Sequence, residues 1–229
     1  MKDAVEWHSH IASEFDAKYT TSRAFKERFD VWSELIGKYA TPESAVLDAG
    51  CGSGIVTGIA ASRCRTVLAF DASPEMISIC HRKQTLGGLA NVVFREMHLE
   101  QLANLGEQRF DLLLCSSVLE YVKNFWEMFD ALTQRLRPGG VFLFSIPNSG
   151  SLYRRCERMG FALTGYPRYY AYVRSTPSRA EVLHGVVARE LYPLELRFYS
   201  PTPALSWLAH KLRAPRFSEN LIVYVCRKR

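Results

Sequence analysis

Residues 46–54 read Val-Leu-Asp-Ala-Gly-Cys-Gly-Ser-Gly, a pattern that predicts a buried strand, a glycine turn and the first turn of a helix. Val46 and Leu47 supply the end of the strand. The three glycines permit positive φ without placing a Cβ between the backbone and a ligand. A helix beginning near Gly54 would direct free N–H groups and its positive dipole end at the same gap. We therefore expect a ligand at the carboxyl end of this strand.

Two carboxylates accompany the glycine turn. Asp48 lies just before it, and Asp71 ends the next predicted strand, in Ala-Phe-Asp-Ala-Ser-Pro. Gly50, Gly52 and Gly54 have the spacing G-x-G-x-G, whereas dinucleotide-binding turns have G-x-G-x-x-G. A carboxylate at position 48 would repel a diphosphate and attract an ammonium group, and one at position 71 would accept hydrogen bonds from a ribose diol. Each aspartate alone could merely cap a turn, but together they indicate a cationic or zwitterionic nucleoside ligand.

A second motif, Leu136-Arg-Pro-Gly-Gly-Val-Phe-Leu-Phe-Ser-Ile-Pro-Asn148, follows later in the chain. Together with the glycine turn, it resembles the class I S-adenosylmethionine-dependent methyltransferases, particularly small-molecule enzymes of the ubiquinone-biosynthesis O-methyltransferase type. The resemblance covers residues 7–146 and continues more weakly to the end. It implies S-adenosylmethionine as methyl donor, S-adenosylhomocysteine as product, and a hydroxyl of a small-molecule acceptor. The alternatives are N-methylation of a small metabolite, or a membrane-associated enzyme acting on a quinone or lipid precursor.

Alternating strands and helices predict a mostly parallel sheet. The opening segment 5–39 has helical spacing of its aromatic residues, and Pro201 and Pro203 break the chain before 205–212. The predicted strands are 45–49, 66–70, 92–95, 110–116, 140–146, 191–199 and 220–226, and the later helices are 54–62, 74–83, 125–136 and 178–189. The resemblance implies that the last strand lies antiparallel beside the fifth. We expect an α/β fold with a Rossmann-like seven-stranded, mostly parallel sheet, helices on both faces and an antiparallel last strand.

A chain of 229 residues that is 48% hydrophobic can bury the core of one domain. We expect a helical lid at 1–40, a cofactor-binding core at 45–147, a substrate-covering insertion at 148–176, and a C-terminal helix and strands at 177–229. No apolar run is long enough for a transmembrane helix, and the first residues lack the apolar run of a signal peptide. Six cysteines without a C-x-x-C pair favour free thiols in a cytoplasmic enzyme.

The resemblance also implies which residues bind the cofactor. Arg28 would pair with its methionine carboxylate, and Met97 and Leu99 would sandwich its purine. His98 stands where relatives have an acidic residue that meets the adenine amine. A neutral histidine could accept a hydrogen bond from that amine, the backbone alone could make the contact, or His98 could be a surface histidine without a ligand role. The backbone of Cys115 would meet the methionine end. The expected cofactor-binding residues are Tyr19, Arg28, Asp48, Gly50, Cys51, Gly52, Gly54, Asp71, Ala72, Met76, Met97, His98, Leu99 and Cys115.

Methyl transfer requires a nucleophile aligned with an already electrophilic methyl group, and O-methylation also benefits from a base. Glu120 and Tyr121, directly after the fourth predicted strand, are the candidate catalytic residues, although Glu120 could simply lie near a helix N-terminus. Quinone-making relatives have E-x-x-E-H here and are thought to bind a divalent metal. This chain has Ser117-Val-Leu-Glu-Tyr, so we predict no metal. His8 and His10 precede Tyr19 on the leading segment, which often folds over the cofactor in the family.

The C-terminal third is basic, because residues 151–229 hold 14 Lys and Arg against 5 Asp and Glu. Its aromatic and basic stretch 152–174 has two interpretations. As a substrate lid, its tyrosines would stack on the acceptor. As an interfacial patch, its apolar residues would make a peripheral membrane contact while its arginines meet lipid headgroups. Gly160, Gly165 and Pro167 favour the lid because they interrupt a long amphipathic helix. We expect no nucleic-acid partner, since the Asn/Asp-Pro-Pro-Tyr motif of many DNA methyltransferases is absent.

Overall fold

The computed structural model describes residues 4–201 and 218–229, and its centre is a seven-stranded sheet. The strands are β1 (Ala45–Ala49), β2 (Thr66–Asp71), β3 (Val92–Glu96), β4 (Phe110–Ser116), β5 (Leu136–Pro147), β6 (Leu191–Pro201) and β7 (Glu219–Lys228). Their order is β3-β2-β1-β4-β5-β7-β6. The first five pair in parallel, whereas β7 is antiparallel to β5 and to β6. The predicted Rossmann-like sheet with an antiparallel last strand is confirmed.

Helices surround this sheet. They are α1 (Ala4–His10), α2 (Ala12–Thr21), α3 (Arg23–Tyr39), α4 (Ile55–Ala61), α5 (Pro74–Gly87), α6 (Phe125–Thr133), α7 (Leu152–Thr164) and α8 (Arg179–Ala188), with 3₁₀ helices at Leu99–Leu105 and Arg168–Tyr172. The opening segment divides into three helices, because Ile11 leaves helical geometry and Ser22 is extended. The short helices α1 and α2 can therefore change direction and cross the carboxyl edge of the sheet.

Local sequence explains where α5 begins and ends. The Ser73 side chain accepts a hydrogen bond from the Met76 N–H, and Pro74 occupies the first helical turn, where its missing N–H costs nothing. Gly88 adopts a left-handed conformation with φ of 65° and ends the helix. The helix therefore runs beyond the predicted residue 83.

Buried side chains cover both faces of the sheet. On one face, α3 contributes Trp32 and Leu35, both fully buried. On the other, the Phe129 ring of α6 lies 5.3 Å from the Phe142 ring and 5.2 Å from the Phe144 ring, between centroids. Aromatic packing of this kind adds specific geometry to apolar burial. The sheet is therefore a rigid platform for the groups at its carboxyl edge.

Strand β5 begins earlier than the predicted residue 140. Phe110 pairs with Leu136 and Leu112 pairs with Val141, so the Pro-Gly-Gly segment forms a bulge. Gly139 has a φ of 77°, which this bulge requires and which glycine adopts without steric cost. Because Leu136 already belongs to the strand, α6 ends at Thr133 and not at the predicted residue 136.

The insertion after β5 contains a continuous helix, so the expectation that Gly160 interrupts it is wrong. Helix α7 runs through Gly160 to Thr164 and ends where Gly165 takes a φ of 70°. One interior glycine weakens a helix by only about 1 kcal/mol and does not prevent it. Within residues 4–201 and 218–229, no helix combines the length and the hydropathy needed to cross a bilayer. The segment 205–212 lies outside the described residues.

Candidate active site

A cavity of about 570 Å³ lies at the carboxyl ends of β1, β2 and β4, beneath α1. It brings together most of the residues that sequence analysis assigned to the site. Those in its lining are Arg28, Gly50, Gly52, Asp71, Ala72, Met76, Met97, His98, Leu99 and Tyr121. Tyr19, Asp48, Cys51, Gly54, Cys115 and Glu120 were also predicted but lie outside the lining.

The glycine turn is bent back onto β2. The N–H groups of Gly50 and Cys51 both donate to the Phe70 carbonyl oxygen, at 2.8 and 2.9 Å. Gly50 has a φ of 72°, and a Cβ at this position would lie 2.3 Å from Cγ2 of Val118. Only glycine fits this combination of backbone conformation and close approach. Gly54 is the N-cap residue of α4 and is also in the left-handed conformation, with a φ of 78°.

Asp71 anchors the turn through its carboxylate. Oδ2 accepts a hydrogen bond from the Gly52 N–H at 2.8 Å, and Oδ1 accepts one from the Ser73 N–H at 2.9 Å. A carboxylate oxygen has two lone pairs, so each oxygen can still accept another donor from the cavity. Burial raises the pKa of Asp71, while the two backbone N–H groups favour the charged form. This geometry suits a ribose diol.

Asp48 lies behind the cavity wall. Its Oδ2 accepts a 2.6 Å hydrogen bond from Oγ1 of Thr57 in α4, and its buried Oδ1 has no hydrogen-bond partner among the described residues. Burial raises its pKa to about 7. A buried carboxylate oxygen without a donor is costly, so a bound ammonium group would relieve it. The role of Asp48 at the ligand stays a prediction.

Arg28 reaches the cavity from α3. Its Nη2 donates to Oγ of Ser116 at 2.6 Å and to the Ser116 carbonyl oxygen at 3.0 Å. Its buried Nε has no partner within the described part of the chain. A guanidinium with an unused N–H is suited to a ligand carboxylate.

Tyr19 packs with Phe15 and Phe25, with ring centroids 5.0–6.0 Å apart, so it supports the Phe15 ring that lines the cavity.

The opposite end of the cavity is apolar. Met76, Met97 and Leu99 are largely buried and form part of the cavity lining. His98 precedes the 3₁₀ helix Leu99–Leu105, and its backbone N–H donates to Oε1 of Gln101 at 2.8 Å. This end can hold a flat aromatic base between apolar side chains.

Cys115 is fully buried in β4 beside Phe144. The expected contact between its backbone and the methionine end of the cofactor stays a prediction.

The side chains of the two candidate catalytic residues lie in different environments. Tyr121 lines the cavity, and burial raises the pKa of its phenol well above the ordinary value. The Glu120 carboxyl is buried outside the lining, and Oε2 lacks a partner among the described residues. Its backbone carbonyl accepts hydrogen bonds from the N–H groups of Arg174 and Ser175, at 2.7 and 3.1 Å. The backbone of Glu120, and not its carboxyl group, therefore holds the segment that places Arg174 over the cavity.

Sequence reasoning did not assign several residues that line the cavity. His8 of α1 and Lys123 and Asn124 after β4 all contribute, whereas Tyr172 and Arg174 belong to the insertion that was predicted to cover the substrate. They come from segments distant in the chain, so no local spacing connects them. The histidine in the leading segment was the one available signal. No group of three His, Cys, Asp or Glu residues within 4–201 and 218–229 is arranged to hold a metal ion.

Residues 47–144 match the protein family described as a methyltransferase domain. The matched segment is a methyltransferase domain. The matched range begins in β1 and ends in β5, so it contains the glycine turn, Asp71 and the segment after β4. The cavity therefore lies where the domain's own core strands end.

The chain is similar to two curated enzymes. It is 33% identical over 103 residues to a ubiquinone biosynthesis O-methyltransferase of Pseudomonas fluorescens, covering 45% of this chain and 44% of the relative. It is 32% identical over 114 residues to the enzyme of the same name from Xanthomonas campestris, covering 50% and 47%. The matches span less than half of the length of these curated relatives.

Several solved structures share the fold of this chain over most of its length. The N-methyltransferase NodS from Bradyrhizobium japonicum, in complex with S-adenosylhomocysteine, has a TM-score of 0.71 at 16% identity and covers 99% of this chain and 98% of its own. An S-adenosylmethionine-dependent methyltransferase from Mesorhizobium loti has a TM-score of 0.63 at 18% identity, with 87% and 100% covered. The [4+2]-cyclase SpnF also matches, with a TM-score of 0.64 at 15% identity, 87% and 80% covered. The fold alone therefore does not specify the reaction.

Two groups at the cavity fit S-adenosylmethionine. Arg28 in the lining carries an unpartnered Nε that suits a carboxylate, and Asp71 suits a ribose diol, whereas Asp48 lies outside the lining and stays a prediction for the ammonium group. Gly52 lines the cavity without a Cβ, and a Cβ there would lie in contact with the Phe15 ring, at 3.6 Å. The carboxylate and the ribose are parts of the same small molecule.

The buried Glu120 carboxyl predicts a pH-dependent stability. Burial raises its pKa from 4.5 to about 7. Between these pH values the folded protein keeps a proton that the unfolded chain releases, so stability falls as the pH rises through this window. Between pH 5 and pH 8, the unfolding free energy of the wild type should fall by about 2 kcal/mol more than that of E120Q. Urea unfolding of the cofactor-free protein at both pH values measures this.

The control is E43Q, because Glu43 is an exposed carboxylate on the loop before β1. This variant should follow the wild type at both pH values. If E120Q also follows the wild type, the Glu120 carboxyl does not keep its proton in the folded protein.

Proposed function

We propose that this chain is an S-adenosylmethionine-dependent methyltransferase that methylates a hydroxyl oxygen of a small molecule. The observation that carries the proposal is that a single cavity presents the Asp71 carboxylate, the Arg28 guanidinium and the apolar pair Met97 and Leu99. When bound, S-adenosylmethionine supplies an electrophilic methyl group. The protein's contribution is to align the acceptor with that methyl group and to exclude water.

Two observations support a hydroxyl acceptor. The curated relatives at about one-third identity are O-methyltransferases, whereas NodS, an N-methyltransferase, shares the fold at 16% identity. The cavity also extends past the Asp71 region to Lys123, Asn124 and Tyr172, which leaves room for an acceptor beside the cofactor. Tyr172 offers an aromatic face and Lys123 a positive charge, so a small phenol is a suitable first acceptor.

Two measurements test the proposed function. Isothermal titration with S-adenosylhomocysteine should give saturable 1:1 binding, and S-adenosylmethionine with catechol should give a product heavier by one methylene unit. Benzylamine in place of catechol tests the N-methylation alternative. Absence of binding at millimolar S-adenosylhomocysteine would rule out the methyltransferase proposal, and methylation of benzylamine alone would replace O-methylation by N-methylation.

A second proposal, peripheral membrane contact through 152–174, is favoured by one face of α7. Leu152, Cys156, Met159 and Leu163 recur at helical spacing and are all exposed, Met159 by 64% and Leu163 by 84%. The opposite face packs inward, where Nη1 of Arg154 donates to Oε2 of Glu157 at 2.7 Å. The exposed Arg155 and Arg158 lie beside the apolar stripe. An apolar face edged by arginines suits an anionic bilayer surface.

Vesicle co-sedimentation checks this membrane proposal. Wild-type protein should sediment with phosphatidylglycerol vesicles more than with phosphatidylcholine vesicles, and L163D should reduce the bound fraction several-fold because a charge enters the apolar stripe. L86D is the matched control, since Leu86 is 89% exposed on α5, outside the insertion. Equal sedimentation of wild type and L163D would contradict the proposal and leave the insertion as a substrate lid only.

A further inference from the structure

Helix α1 is held over the cavity from two sides. On one side, Oγ of Ser9 donates to Oγ of Ser73 at 2.8 Å, two residues after Asp71. On the other, the Trp7 ring lies 5.9 Å from the Tyr172 ring, between centroids. These contacts fix the residue between Trp7 and Ser9, which is His8, and His8 lines the cavity. The imidazole is therefore placed by tertiary contacts at the roof of the site.

The hydrogen bonding of His8 specifies its tautomer. Nδ1 lies 2.7 Å from the Ala4 carbonyl oxygen. A carbonyl oxygen only accepts, so Nδ1 carries the proton, and in the neutral ring Nε2 is an acceptor with a free lone pair. The His8 ring makes no other hydrogen bond to residues 4–201 or 218–229. Its ring meets the Tyr121 ring edge-on, with centroids 5.0 Å apart.

Other candidate bases at this cavity are less suited. The Glu120 carboxyl lies outside the lining, and Tyr121 keeps its phenolic proton because burial raises its pKa. Both oxygens of Asp71 accept backbone N–H groups, and Oε2 of Glu127 accepts from Nδ2 of Asn124 at 2.7 Å. His8 has an unused nitrogen acceptor next to the part of the cavity that would hold an acceptor molecule.

We propose that His8 is the general base of the methyl transfer, a role that rests on the proposed function. Nε2 takes the proton from the acceptor hydroxyl as the oxygen forms a bond to the methyl carbon. The bond between that carbon and the donor sulfur breaks, and the sulfur keeps the electron pair. The imidazolium then releases its proton to water, so the protein returns to its starting state with no other reactant.

The surroundings of His8 support an unprotonated ring. Burial lowers the pKa of His8, and Asp71 on β2 opposes this effect more weakly. The other titratable or charged groups in the cavity lining are Arg28, His98, Glu100, Tyr121, Lys123, Glu127, Tyr172 and Arg174. A neutral imidazole at neutral pH is the form that accepts a proton.

Nitrogen NMR of the protein with S-adenosylhomocysteine tests the tautomer without any acceptor. The expected result at pH 7.5 is a protonated Nδ1 and an unprotonated Nε2 on His8. A proton on Nε2 would overturn the proposal. The H10Q variant serves as the control for assigning the signals. It removes the exposed histidine at the end of the same helix, so the His10 signals are not mistaken for those of His8.

Kinetics with catechol test the role itself. H8Q should lower kcat by on the order of 100-fold, flatten the acid limb of the pH profile, and leave S-adenosylhomocysteine affinity within about two-fold, while H10Q behaves as wild type. A higher KM for S-adenosylmethionine with unchanged kcat would make His8 a cofactor contact and overturn the proposal. If wild type binds no S-adenosylhomocysteine, the proposed function itself fails. If it binds normally but H8Q keeps its kcat, only the His8 assignment fails.

Discussion

D71N should weaken binding of S-adenosylhomocysteine by about 100-fold or more. The Asp71 carboxylate accepts the Gly52 and Ser73 N–H groups, at 2.8 and 2.9 Å, and has lone pairs left for a ribose diol. An amide supplies one acceptor oxygen and one donor group, so one backbone N–H loses its partner and the diol loses part of its acceptor. Two hydrogen bonds to a charged group are each worth about 1.5–3 kcal/mol, and 1.4 kcal/mol is tenfold in affinity.

Isothermal titration measures this effect, and D111N is the matched control. Oδ2 of Asp111 accepts the Ala45 N–H at 2.8 Å, and the carboxylate pairs with Arg137, but these groups lie at the amino ends of β4 and β1. The control also loses a backbone hydrogen bond, so it should lose some stability while S-adenosylhomocysteine affinity stays within about two-fold. D71N binding as tightly as D111N would mean that Asp71 does not hold the ligand.

G50A should both destabilise the protein and abolish cofactor binding. Gly50 has a φ of 72°, and an added Cβ would lie 2.3 Å from Cγ2 of Val118. The left-handed backbone costs about 1–2 kcal/mol for an alanine, and overpacking adds about 1–3 kcal/mol. We expect the free energy of unfolding to fall by about 3 kcal/mol. Relief of the clash would move the glycine turn, which we propose binds the cofactor.

G139A separates the two causes of this effect. Gly139 has a φ of 77°, and no atom of the described residues lies within 4 Å of an added Cβ. Urea unfolding of G139A should therefore show only the backbone cost, with binding unchanged. Adding V118A to G50A should restore part of the lost stability. Equal losses in G50A and G139A would show that the approach of Val118 has no energetic importance.

Several features were predictable because they are local properties of the chain. The bounds of β1 and β4 match the predicted ranges, since short apolar runs between turn residues mark buried strands. The glycine turn and Asp71 follow directly from one strand–turn–helix unit, in which spacing alone sets the backbone path. The resemblance in these motifs also correctly indicated the methyltransferase domain and the antiparallel β7.

Tertiary structure alone decided which side chains face the cavity. Asp48 was expected at the ligand, but Thr57 of the packed helix α4 holds it behind the wall. Glu120 was a candidate catalytic residue, yet its carboxyl is buried outside the lining, and His8 lies over the cavity from another segment. Spacing along a strand or loop indicates where a residue lies, whereas the direction of its side chain depends on partners distant in sequence, which become neighbours only when the chain is folded.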